Sequence, residues 1–173
     1  GSRVAILTGA RGAGKTTLCM ELARGRPEVV GIVSPAVFDA SGVKVGFSAL
    51  CLETGERWDL GRSDADLGGP RYGKYSFSAE GFARALECLE RALQLPDRIV
   101  VLDEIGPLEM EQNGGFAPAL ARLRAAPRLL LVTRPGFGQV LAARFPTLAV
   151  ASFHLPPGGS HDVTLALVRF LAG

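Results

Sequence analysis

Several function classes are removed by what this 173-residue sequence has little of. It carries only three cysteines (Cys19, Cys51, Cys88), widely spaced, and two histidines, with no Cys-x-x-Cys pair or Cys/His cluster. That pattern supports neither a zinc site nor a disulfide framework, and three buried reduced thiols are the expectation. No apolar stretch approaches the roughly 18 residues that a membrane helix needs. No run of five like charges occurs, and a net charge of +2 gives no electrostatic case for a nucleic-acid or membrane surface. Low-complexity segments, internal repeats and a signal peptide are missing too, so a reducing cytoplasm is the expected location. Gly1-Ser2, ahead of an apolar strand, reads as a cloning scar.

What remains is an ordinary globular composition, 47% hydrophobic and 21% charged, in a chain sized for one domain. Buried-strand runs recur at "RVAILT", "EVVGIV", "RIVVLDEIG", "RLLLVT" and "LAVASFHL". Helical patterns lie between them. Ser78 is placed to cap a helix whose stripe is Phe82, Ala85, Leu86, Leu89 and Leu93, and Pro96 stops it. Further helices are expected after the glycines near residue 15, around Phe116–Ala125, over "GQVLAARF" and at the C-terminus. Residues 36–77 differ: "GVKVGFSALCLETGERWDLGR" alternates apolar with polar residues around a turn, which predicts an antiparallel hairpin insertion rather than a second domain. The expected fold is α/β in three layers, with a mostly parallel central sheet.

Ligands in such sheets sit at the carboxyl ends of the strands. At one such end stands "TGARGAGKTT", in which Gly9, Gly14, Lys15 and Thr16 match G-x-x-x-x-G-K-[ST]. Glycines let successive N–H groups turn toward an anion at a helix N-terminus, lysine reaches the β- and γ-phosphates, and the hydroxyl completes a magnesium shell. The candidate nucleotide-binding residues are therefore Gly9, Ala10, Arg11, Gly12, Ala13, Gly14, Lys15, Thr16 and Thr17. The fold is then that of a P-loop NTPase of RecA-like type. Asp103-Glu104 ends a buried strand 88 positions after Lys15. Asp103 would serve Mg²⁺ together with Thr16, and Glu104 would orient or deprotonate a water. Lys15 and Glu104 are the catalytic candidates. Thr133, Arg134 and Arg71 are weaker candidates, as a γ-phosphate sensor or an internal arginine finger. Trp58, Tyr72 and Tyr75 read as packing residues, and His161-Asp162 as a helix cap.

Nearly the whole chain resembles the THEP1-type nucleoside-triphosphatases of the P-loop superfamily. The resemblance rests on "TGARGAGKTTL", on "GIVSPAVFDASGVKVGFSALCLETGE" with its Gly46-Phe47 pair, on "GPRYGKYSF" and on "VLDEIGPLEM". It implies Mg²⁺-dependent hydrolysis of nucleoside triphosphates to the diphosphate and phosphate, with broad base tolerance. By the same match Gly9–Thr17 bind phosphate, Asp103 serves magnesium and Glu104 serves the water. Two alternatives stay open from the residues alone: a nucleotide or metabolite kinase, and a nucleotide-dependent accessory or switch protein. The guanine-specific Asn-Lys-x-Asp motif is absent from the sequence. Oligomeric state is not legible.

Overall fold

The computed structural model describes residues 2–146 and 148–173. Gly1, half of the expected cloning scar, lies outside them. The chain opens with β1 (Arg3–Thr8), the phosphate-type loop and α1 (Lys15–Ala23), then β2 (Val29–Val33). Five strands follow: β3 (Ala36–Phe38), β4 (Lys44–Cys51), β5 (Arg57–Arg62), β6 (Arg71–Tyr72) and β7 (Tyr75–Phe77). The long helix α2 (Ala79–Gln94) leads to β8 (Ile99–Ile105), the single turns α3 (Pro107–Met110) and α4 (Ala117–Leu120), and β9 (Arg128–Thr133). The chain closes with α5 (Gly138–Ala142), β10 (Ala149–His154) and α6 (His161–Ala172).

All the strands share one sheet in the order β10-β1-β9-β8-β2-β4-β5-β7-β6, with β3 pairing β4 off that path. The five strands from β10 to β2 run parallel, and those from β4 onward pair antiparallel. The switch follows from the connections. Helical crossovers return the chain in the same direction, whereas the short turns of residues 36–77 reverse it. The expected insertion thus extends the sheet's edge.

Strand side chains alternate between two cores, as a sheet covered on both faces requires. Ala5, Leu7, Val101 and Val132 pack with Leu18, Leu22, Leu167 and Leu171, under α1 and α6. Ile6, Ile32, Leu102 and Leu131 pack on the opposite side with Phe82, Leu89, Leu120 and Leu141. These are the three layers. Ser78 caps α2 as expected, its hydroxyl accepting the Gly81 N–H at 2.9 Å.

Two expectations change. The helix predicted over Phe116–Ala125 is instead α4 followed by a 3-10 turn at Arg122–Ala125. Leu120 and Leu123 are both buried, and a three-residue repeat sets them on one face. The reduced-thiol expectation holds for Cys19 alone; Cys51 of β4 and Cys88 of α2 form a disulfide, with Cα atoms 6.5 Å apart. Their separation of 37 residues carries no sign of this, because α2 packing across β4 creates the proximity.

Gly31, inside fully buried β2, has φ +114°, and a Cβ there would lie 2.1 Å from the Val101 carbonyl oxygen of neighbouring β8. Backbone on backbone has no slack. Gly31→Ala is expected to destabilise by about 3 kcal/mol or more, read by denaturant unfolding. A loss under about 1 kcal/mol would contradict this packing.

Candidate active site

The loop between β1 and α1 delivers a helix start with nothing of its own to satisfy it. Gly14, the residue before α1, has φ 95° and supplies no side-chain cap, and the first turn of α1 holds no acidic residue. The first N–H groups of a helix have no intrahelical acceptor, so this start is open to an anion. Lys15 is buried, and its Nζ donates to the Gly9 carbonyl and, at 3.1 Å, to that of Ala10. Burial lowers its pKa from the ordinary lysine value, while Glu104 and Asp103 act in the opposite direction. A lysine folded onto loop carbonyls, with carboxylates nearby, is poised to exchange those carbonyls for phosphate oxygens.

β8 brings the acidic pair to the same place. Asp103 is fully buried, and its Oδ2 accepts the Thr16 hydroxyl at 2.6 Å and the Ser34 N–H at 3.1 Å. Its Oδ1 and the Ser34 hydroxyl are buried without a hydrogen-bond partner among the described residues. Burial first, and the Glu104 charge second, push the Asp103 carboxyl up to about 7. Such a group gains from a cation that restores its charge. Glu104 has φ 61°, a left-handed backbone that a glutamate adopts at a cost. It turns β8 away from its ladder: the β8–β9 register shifts between Leu102 and Ile105. Its side chain lines a cavity shared with Lys15, Ser34 and Arg134.

Glu109 holds the segment that follows. Its two carboxylate oxygens accept the N–H groups of Gly106 at 2.9 Å and Phe116 at 3.1 Å, and burial raises its pKa to about 7. It pins the turn that follows Glu104.

The weaker candidates separate. Arg134 is half-buried in the cavity wall, close enough to Lys15 to act on its charge. Arg11 also reaches that wall. The Thr133 hydroxyl is buried and donates to the Ile105 carbonyl, which ties the ends of β9 and β8 together. Arg71 is 62% exposed, 3.9 Å from Asp66, and is not among the residues lining the cavity. Trp58 packs as expected: its Nε1 donates to the Gly81 carbonyl at 2.8 Å, and Arg84 stacks on its ring. The α6 cap comes from Ser160, whose hydroxyl accepts the Val163 N–H, rather than from His161-Asp162. Tyr72 and Tyr75 pack against the core as expected, and they also line the cavity. Sequence reasoning missed Ser34. Ser34 had a usable signal, since it ends β2 just as Asp103-Glu104 ends β8.

A family model for NTPases matches residues 4–145. Among relatives named nucleoside-triphosphatase THEP1, the Methanopyrus kandleri protein is 37% identical over 68% of this chain and 64% of its own length. The Pyrococcus abyssi protein is 37% identical over 74% of this chain and 72% of its own. The chain belongs to this nucleoside-triphosphatase family. The crystal structure of THEP1 from Aquifex aeolicus superposes with a TM-score of 0.77 at 19% identity, covering 98% of this chain and 99% of that one. The solution structure of a human cancer-related nucleoside triphosphatase gives 0.68 at 24% identity, over 99% and 96% of the two chains. Both carry the same α/β fold with its mostly parallel sheet. The span matched by the family model runs from β1 past β9 and α5, and so includes the phosphate loop, the antiparallel extension and the acidic pair. β10 and α6 lie beyond that span, yet β10 pairs along all of β1 and completes the edge beside the phosphate loop. No helix among the described residues is long and apolar enough to cross a membrane.

Proposed function

We propose that the chain binds a nucleoside triphosphate with Mg²⁺ and hydrolyses it to the diphosphate and phosphate, with water attacking from the Glu104 side. One observation carries this reading: Lys15, Ser34 and Glu104 line one cavity, and the Asp103 carboxylate just behind it is held by the Ser34 N–H and the Thr16 hydroxyl. The N–H groups of the loop from Gly9 to Thr17 hold the phosphates, and Lys15 pairs with the β- and γ-oxygens.

The donor set suits magnesium. Thr16 and Asp103 offer hard oxygens, and the orphaned Asp103 Oδ1 and Ser34 hydroxyl are the groups a hydrated cation would satisfy. When bound by Thr16 and Asp103, Mg²⁺ would supply positive charge to offset that of the phosphates.

Glu104 accepts a hydrogen bond from the attacking water and takes its proton as the oxygen–phosphorus bond forms. The bridging bond to the β-phosphate breaks, and its oxygen leaves with the diphosphate. Lys15 and Arg134 offset the charge that develops. Mg²⁺-dependent phosphate release from ATP, GTP, CTP and UTP, with no acceptor present, tests the reading. Release from several bases is expected; absence of release from all four would contradict it. Arg134→Ala is expected to lower kcat by about 10-fold or more with a small change in KM, whereas Arg71→Ala leaves both near wild type. The reverse ranking in steady-state assays would move the arginine role to the surface loop.

A further inference from the structure

The cavity beside Glu104 is larger and more aromatic than water attack requires. Its volume is about 270 Å³, against a liquid-water share of about 30 Å³. Lys15 and Glu104 occupy one part of its wall. Another part of the wall is aromatic: Phe47 and Tyr75 from the antiparallel extension are partly exposed, and the buried Phe77, Phe82 and Phe116 stand behind them. Phe47 meets Tyr75 and Phe77 at centroid distances of 5.5 and 5.6 Å, and Phe82 meets Phe116 at 5.0 Å, so these faces are held by one another. Rings of this kind offer a triphosphate nothing; they suit another ring.

Two further features narrow the occupant. Lys44 and Lys74 line the cavity from exposed positions, and neither makes an ion pair among the described residues. The turn carrying Lys74 is tied to the segment after α3, where the Tyr72 hydroxyl donates to Glu111 Oε2 at 2.8 Å. On the proposed nucleotide reading the γ end of the triphosphate sits at Lys15 and Glu104, which would set the base at the other end of the phosphate row.

We propose that this cavity is a second small-molecule site, for an aromatic ring bearing an anionic group, beside the γ-phosphate and separate from the nucleotide's base. The ring packs against the partly exposed Phe47 and Tyr75, and its anion meets Lys44 and Lys74. An occupant there excludes water from Glu104 and slows hydrolysis. The inference rests on the nucleotide reading only in placing the γ-phosphate at Lys15.

The test uses 2-naphthoate and benzoate as probes, titrated calorimetrically into the full chain with saturating nucleoside diphosphate and Mg²⁺. Saturable one-to-one binding of at least one probe is expected, and at least about 10-fold weaker binding of its neutral amide. The exposed-site variant Lys44→Glu/Lys74→Glu is expected to weaken the anion by at least about 10-fold while keeping basal hydrolysis. In wild type, a saturating probe lowers kcat and leaves the nucleotide KM unchanged. No saturable binding of either probe, displacement by the diphosphate, or an unchanged affinity in the charge-reversed variant would each overturn the proposal. Basal phosphate release without a probe, measured on the same samples, reports separately on the hydrolytic reading.

Discussion

Glu104→Gln is expected to bind magnesium-nucleotide within about threefold of wild type and to lose about 10²–10⁴-fold in kcat. The substitution keeps the side chain's size and one oxygen acceptor, and removes only the basic carboxylate. Glu104 makes no hydrogen bond that supports the phosphate loop; Lys15 folds onto Gly9 and Ala10, and Thr16 onto Asp103. Binding therefore survives. Turnover does not, because the residue facing the cavity from the strand end can no longer take the water's proton. Single-turnover chemistry and equilibrium nucleotide binding, measured side by side, check both halves. A variant with weakened binding and unimpaired single-turnover chemistry would show that Glu104 serves the ground state.

The second large effect pairs lost activity with gained stability. Asp103→Asn is expected to lower kcat by about 100-fold or more, since the amide cannot supply a charged oxygen to the metal. Without metal the same variant is expected to be more stable than wild type, by about 3–6 °C in Tm at pH 8. Asp103 is fully buried with Glu104 beside it, so its charge costs desolvation and repulsion that the loop alone does not offset. The neutral amide keeps an oxygen that can accept from Thr16 and from Ser34 N–H. The pH dependence has a definite sign. The folded Asp103 keeps its proton up to about 7, whereas an unfolded aspartate loses it near its ordinary 3.8. Between those values the folded state binds more protons, so the wild type's metal-free stability from this group falls as pH rises from about 4 to about 7. The buried Glu109, also held up at about 7, adds to the fall, and this part remains in the variant. Thermal unfolding of both proteins at pH 5 and pH 8, in chelator, should show the variant's advantage growing with pH. An advantage that shrinks would contradict the burial argument.

Much of this site is legible from sequence because its parts are local. The phosphate loop needs a strand, glycines at set positions and a helix, all within Arg3–Ala23. Asp103-Glu104 needs only a buried strand and its end. The strands of the parallel half announce themselves as continuous apolar runs, since both faces are covered. What escaped depends on pieces distant in the chain meeting in space. The Cys51–Cys88 bond exists because α2 lies across β4. Phe47, Phe82 and Phe116, spread over 70 residues, become one aromatic wall only once the antiparallel extension and α2 are in place. Tyr72 and Tyr75 have the pattern of packing residues, and nothing in "RYGKYSF" says that their turn lines a cavity. Glu109 lies too far past the strand for direct chemistry, and its place in the acidic motif suggests only that it orients a neighbour. Its reach to Gly106 and Phe116 is created by a chain reversal that four residues of α3 do not advertise.

Isotope tracing tests the central claim most directly. Wild-type chain turning over a magnesium-nucleoside triphosphate in H₂¹⁸O, without any acceptor, is predicted to place one ¹⁸O in the released phosphate and none in the diphosphate. That outcome means water attacks the γ-phosphorus, as the position of Glu104 requires. Label in the diphosphate, or phosphate released only when a second substrate is supplied, would contradict the account.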